Sequence, residues 1–206
     1  MQPTIKLTNA QIAFYHREGY LSIEAITTPE EVAWLREIYD RLFAQRAGRE
    51  EGNQFDLAGA ETPWHQDEAY WDTDLEYNEI SVWIPLQEAT PENGCMYFIP
   101  RSHEMEVRPH HPINHDPRIH GLESDAVDAS QAVACALPPG GATFHGPRML
   151  HYTPPNRSPI PRRAYILGFG TTAKKRATSR DFYWNRQKTT AREERAQRAQ
   201  HQMNEK

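Results

Sequence analysis

The stretch Ile80-Ser81-Val82-Trp83-Ile84-Pro85-Leu86 puts Ile80, Val82, Ile84 and Leu86 on one face of an extended chain, because successive side chains of a strand point to opposite sides. It reads as a strand with one buried face. Cys95 to Ile99 reads as a second strand, joined to the first through Glu92-Asn93-Gly94, and Asn-Gly is a strong turn signal. Further along, Ala132 to Leu137, Ala142 to His145, Met149 to Thr153 and Ala164 to Phe169 are strand candidates. Pro-Pro-Gly-Gly at 138–141 and Pro154-Pro155-Asn156 are turns between them. Met105 to Asp128, rich in His, Pro and Asp, reads as a long loop.

Upstream the period changes. Thr8 caps a helix carrying Ile12, Phe14 and Tyr15 and ended by Gly19. Tyr20 to Ala25 reads as a short strand. Thr28-Pro29-Glu30-Glu31 is a capping box with proline at the first helical position. Val32, Leu35, Ile38, Tyr39 and Leu42 then recur at helical spacing, predicting a helix to about Arg46. Many short strands after two helices predict a mainly β sandwich or barrel with the helices packed outside. The length of 206 residues suits one domain. We place it at 1–187, with 188–206 as a charged helix or tail.

Composition narrows the function classes. The net charge of -5 argues against a nucleic-acid surface, while a local basic pocket for a small acidic metabolite stays compatible with it. No apolar run approaches the ~18 residues of a membrane span. The N-terminus shows no secretory pattern, and two cysteines, Cys95 and Cys135, suit reduced thiols in a cytoplasmic protein.

The chemistry is concentrated in Trp64-His65-Gln66-Asp67. On an extended segment His65 and Asp67 face the same way and can bind one metal ion. A second histidine from a distant strand would complete the two-histidine, one-carboxylate face that leaves coordination positions open on Fe(II). His151 and His145 are the candidates, with His151 preferred because Arg162 follows it across the loop Thr153 to Pro161. A guanidinium there matches a carboxylate bidentately, as a 2-oxo acid chelated to iron needs at its far end. Thr153 stands on the His151 face to join it. Arg162 competes with its neighbour Arg163, since one residue of register decides which of them points inward.

Taken together these residues resemble the phytanoyl-CoA dioxygenase family of Fe(II)- and 2-oxoglutarate-dependent oxygenases. The resemblance covers Leu7 to Arg46 and nearly everything from Thr62 to Phe169. His65-Gln66-Asp67 is similar to the family's proximal ligand motif, with Gln66 inside it, and Trp83 to its pocket tryptophan. Glu92-Asn93-Gly94-Cys95 and Ile99-Pro100-Arg101-Ser102-His103 resemble its Asn-Gly turn and Pro-Gly-Ser-His signature. His151 to Asn156 and Arg162 resemble the distal histidine, the following Ser/Thr and Asn, and the 2-oxoglutarate arginine. The resemblance implies a double-stranded β-helix, a cupin-like jelly-roll, with iron held by His65, Asp67 and His151. It also implies that 2-oxoglutarate and O2 are cosubstrates and that Gln66, Trp83, Thr153 and Arg162 surround the 2-oxo acid. The implied reaction hydroxylates an unactivated C–H bond of a small molecule, releasing succinate and CO2. Related halogenases carry a small residue at the Asp67 position, so Asp67 implies hydroxylation.

Three departures accompany the resemblance. Arg101 replaces a usual glycine, and Gly141 stands where an aspartate is common. Arg46 to Pro63 is short and glycine-rich where relatives place a few dozen more residues, including framing strands. A binding protein of impaired activity and a metal-dependent hydrolase or isomerase are therefore the competing classes. His110, His111, His115 and His120 read as a solvated loop over the pocket mouth rather than a second metal site, and His103 as structural. Tyr70 and Trp71 suit either the pocket or the core.

Overall fold

A computed structural model describes residues 5–48 and 60–187; the tail expected at 188–206 lies outside them. Helix α1 (Asn9–Glu18) starts at a Thr8 capping box and ends at Gly19, whose φ of 84° is the left-handed conformation glycine adopts without strain. Strand β1 (Tyr20–Ile23) and helix α2 (Pro29–Ala44) follow, the latter opened by the Thr28 capping box. Next come β2 (Thr62–His65), a 3-10 turn at Asp67–Tyr70, β3 (Leu75–Glu76), β4 (Glu79–Pro85) and β5 (Met96–Phe98). The chain continues with β6 (His110–Pro112), β7 (Leu122–Ser124), β8 (Val133–Cys135) and β9 (Ala142–His145). It closes with β10 (His151–Thr153), β11 (Ala164–Gly170) and β12 (Lys174–Lys175).

Two antiparallel four-stranded sheets face each other, ordered β1-β9-β4-β11 and β2-β10-β5-β8. This is the expected jelly-roll. The alternation read in Ile80 to Leu86 sets its layers. Val82, Ile84 and Leu86 are buried on the outer face of the first sheet, with Leu35 and Tyr39 of α2 packed over them. Trp83 points inward, into a core with Met96, Phe98 and Met149 from the second sheet side. Phe98 is fully buried, so truncating it to alanine would cost about 3–5 kcal/mol. Among the described residues no helix is long and apolar enough to cross a membrane.

Two expectations fail. The Asn93-Gly94 turn forms, with Gly94 and Cys95 N–H both donating to the Thr90 carbonyl, but β4 and β5 enter different sheets. The turn is a sheet-to-sheet corner, not a hairpin. Met105 to Asp128 is no open loop either, because β6 and β7 pair within it from His110↔Ser124 to Pro112↔Leu122. His110 and Leu122 are 1% exposed. The imidazole of His110 is held at both nitrogens, accepting from Gln66 N–H at 3.2 Å and donating to the Arg108 carbonyl at 2.7 Å.

Candidate metal centre

The second sheet brings the two histidines together directly, because His151 on β10 is the antiparallel partner of His65 on β2. Gln66 keeps an extended backbone, φ -123° and ψ 128°, before the 3-10 turn begins at Asp67. The two-residue period of the strand therefore carries through, and Asp67 falls on the His65 face. Asp67 Oδ1 lies 3.6 Å from both His65 Nε2 and His151 Nε2. The three ligand atoms all lie within 4.8 Å of one another, which makes this a group able to hold one metal ion.

Each imidazole is aimed by its own backbone. His65 Nδ1 bonds the Pro63 carbonyl at 2.8 Å, and His151 Nδ1 bonds the Met149 carbonyl at 2.8 Å. A carbonyl only accepts, so each Nδ1 carries the proton and each Nε2 presents a lone pair to the site. Burial, then the neighbouring His65, holds the His151 pKa well below the ordinary imidazole value, so it stays the neutral ligand form. Burial raises the carboxyl pKa of Asp67, yet the carboxyl stays well below the usual carboxylate range and so remains the anionic donor. Two imidazole nitrogens and one carboxylate oxygen form the donor set that suits Fe(II) while leaving positions open.

Two neighbours complete the surroundings of Asp67: Ser81, which the sequence did not single out, and His145, the second candidate ligand. Ser81 Oγ donates to Asp67 Oδ2 at 3.0 Å, which turns the other oxygen, Oδ1, toward the histidines. His145 Nε2 lies 3.6 Å from the same Oδ2, and its ring centroid is 4.4 Å from that of His151. Both neighbours come from the first sheet, where Ser81 and His145 are cross-strand partners. Ser81 is found only through that register, which no local pattern reveals. His145 thus stands beside the metal group and outside it.

These residues line a cavity of about 350 Å3 between the sheets. Trp83, Thr153, Arg162, Tyr39 and Ile166 complete much of its wall. Thr153 is 6% exposed and its Oγ1 has no hydrogen-bond partner. Both ring nitrogens of His145 are likewise buried without a hydrogen bond. Buried polar atoms without partners are rare in folded proteins, and both of these residues line the cavity. Register decides the arginine question. Arg163 pairs outward with Asp40, at 2.6 and 3.2 Å. Arg162 turns to the cavity, donating from NH1 to the Pro154 carbonyl and from NH2 to the Ala60 carbonyl, both at 2.9 Å. Among the described residues no carboxylate pairs with it. Burial lowers its pKa, yet a guanidinium stays protonated, so Arg162 brings a positive charge to the cavity wall across from the Asp67 carboxylate.

The expectation for Gln66 is corrected. It is fully buried on the opposite side of the strand, donating from Nε2 to the Arg148 carbonyl at 2.7 Å and accepting from Arg108 N–H at 2.8 Å. Alternation forces this once His65 and Asp67 face inward. Gln66 anchors the ligand segment and does not reach the cavity. Tyr70 packs with Ala69, Leu122 and Phe182 rather than lining the cavity. None of His110, His111, His115 and His120 lines it.

The family profile for phytanoyl-CoA dioxygenase (PhyH) matches residues 56–164, just over half of the chain. The chain belongs to the phytanoyl-CoA dioxygenase family. Among curated members it is similar to a probable alpha-ketoglutarate-dependent hypophosphite dioxygenase of Stutzerimonas stutzeri, at 31% identity over 117 residues, 54% of this chain and 40% of that protein. It is similar to phytanoyl-CoA dioxygenase domain-containing protein 1 of Mus musculus at 32% over 113 residues, 53% of this chain and 39% of that one. The chain thus spans about 40% of the length of the curated relatives it matches. Among solved structures, EvdO2 from Micromonospora carbonacea var. aurantiaca complexed with 2-oxoglutarate shares 30% identity with a TM-score of 0.78, covering 89% of this chain and 99% of that one.

Two departures from the family pattern now have physical readings. Arg101 has φ 66°, a left-handed conformation that suits the family's glycine and strains an arginine. A side chain at Gly141 would stand 2.9 Å from the Ile23 carbonyl and 2.8 Å from the Glu24 carbonyl. The close approach of β1 in this phytanoyl-CoA dioxygenase relative thus leaves no room for an aspartate.

Proposed function

We propose that the chain is an Fe(II)- and 2-oxoglutarate-dependent dioxygenase that hydroxylates an unactivated C–H bond of a small molecule. The observation that carries this reading is the shared cavity. The three donors of His65, Asp67 and His151 converge in it, and the guanidinium of Arg162, bonded among the described residues to backbone carbonyls alone, faces the same space.

His65 Nε2, His151 Nε2 and Asp67 Oδ1 would hold the iron, each preset by a second bond to the protein. Arg162 would take the distal carboxylate of 2-oxoglutarate by charge-assisted hydrogen bonds, and the free Thr153 hydroxyl would add a third donor. When bound, Fe(II) with 2-oxoglutarate and O2 supplies an oxidation that puts one oxygen atom into succinate, with loss of CO2, and the other into the product alcohol. Trp83 and Tyr39 supply aromatic surface to the same cavity wall. The 2-oxoglutarate bound to EvdO2 supports the same cosubstrate here.

The test is succinate formation from 2-oxoglutarate with added Fe(II) under air. It should be abolished in His65→Ala, and in Arg162→Met the KM for 2-oxoglutarate should rise at least tenfold. A chain that neither binds 2-oxoglutarate nor forms succinate refutes the reading. Activity that persists without O2 and ignores Arg162→Met points instead to a hydrolase.

A further inference from the structure

The first sheet ends on β11, paired through all seven of its residues with β4 on one side, from Ala164↔Pro85 to Gly170↔Glu79. Among the described residues nothing pairs on its other side. Three of its large apolar residues are exposed: Ile166 at 64%, Phe169 at 57% and Tyr165 at 44%. Natural edge strands are usually short, charged or interrupted by proline, which blocks pairing with other chains. The other sheet ends follow that rule. β8 has three residues, β1 has four beside α1, and β2 has four including Pro63. Ala164-Tyr165-Ile166-Leu167-Gly168-Phe169-Gly170 has neither charge nor proline.

The backbone parity of this edge is readable. The Arg163 carbonyl accepts from Leu86 N–H, and Thr171 N–H donates to the Asn78 carbonyl. Odd-numbered residues between them thus bond to β4, and even-numbered ones turn their N–H and C=O outward. A two-fold axis at Leu167 pairs outward-facing residues with one another: Ala164 with Gly170 of the second copy, and Ile166 with Gly168 of the second copy. On the other face the same register sets Tyr165 opposite Phe169 of the second copy, an aromatic cross-strand pair. On the cavity face it sets the large Ile166 opposite a glycine. The flanking Arg162 and Arg163 meet Thr172 and Thr171 of the second copy, so no like charges are opposed.

We propose that β11 is a homodimer interface, joining two first sheets into one of eight strands with isologous two-fold symmetry. Ile166 and Ala164 line the metal cavity, so the partner strand also extends the cavity wall at an edge where no described strand does. The inference rests on strand geometry and stands whether or not the site is an oxygenase.

Light scattering on the full chain after gel filtration, from 1 to 100 µM, tests it. The expected mass is twice the 23.8 kDa chain. Gly168→Pro removes an outward N–H, and a side chain there meets nothing within 4 Å; Phe169→Asp puts a charge opposite Tyr165. Both should elute at single-chain mass with a thermal midpoint close to that of the parent. A parent chain that stays monomeric at 100 µM overturns the proposal, and so does a dimer that survives Gly168→Pro and Phe169→Asp alike.

Discussion

Replacing Gly94 by alanine links the backbone corner to cosubstrate binding. Gly94 has φ 98°, and an added Cβ would overlap Arg162 NH1 and stand 2.9 Å from the Pro154 carbonyl. The left-handed conformation costs a non-glycine residue about 1–2 kcal/mol, which lowers the melting midpoint by roughly 3–6 °C for a chain this long. The larger effect falls on Arg162, whose NH1 must leave its 2.9 Å bond to Pro154. A displaced guanidinium loses the charge-assisted pair with a distal carboxylate, about 2–3 kcal/mol, or roughly 30- to 150-fold in 2-oxoglutarate affinity. Anaerobic calorimetric titration of 2-oxoglutarate into the Fe(II)-loaded protein reads this directly. Fe(II) affinity should barely change, since no metal donor moves. An alanine variant that binds 2-oxoglutarate within threefold of the parent would refute the link between Gly94, Arg162 and the cosubstrate.

Removing the Ser81 hydroxyl by Ser81→Ala frees Asp67 Oδ2 and should weaken Fe(II) binding about tenfold, measured by competition with a chelator while the fold persists by circular dichroism. Arg101→Gly relieves the strain of φ 66° and should raise stability by about 1 kcal/mol and the melting midpoint by roughly 2–4 °C; a lower midpoint would contradict the assignment of strain. Burial pushes the pKa of His110 down to about 4 from 6.5. The unfolded chain takes up this proton first as the pH falls, so the imidazole's contribution to stability is full above pH 6.5 and drains away toward pH 4. The loss amounts to about 3 kcal/mol, and urea unfolding of His110→Gln against the parent should show that part of the pH dependence gone.

The sequence was most informative where a single physical rule governs one short segment. Alternation placed His65 with Asp67 and set the outward face of Val82, Ile84 and Leu86. The same rule, carried one residue further, already condemned Gln66 as a cavity residue. Capping chemistry located both helices, since Thr8 and Thr28 satisfy the first free N–H groups whatever lies around them. Information failed where pairing is non-local. Asn93-Gly94 signals a turn but not which sheet the next strand joins. The β6–β7 hairpin hides behind prolines because its stability comes from burying His110 and Leu122, not from strand propensity. Ser81 reaches Asp67 only because β4 lies beside β9 over the second sheet, a fact of assembly that local pattern does not carry. Arg162 was legible through the resemblance, whereas strand parity alone could not choose it over Arg163 without the register.

Diffraction from crystals soaked anaerobically with Fe(II) and 2-oxoglutarate, collected at the iron edge, tests the central claim most directly. The account predicts one anomalous peak bonded to His65 Nε2, His151 Nε2 and Asp67 Oδ1, with the 2-oxo acid's distal carboxylate against Arg162 and Thr153. A peak elsewhere, or a 2-oxo acid whose distal carboxylate turns away from Arg162, would contradict it.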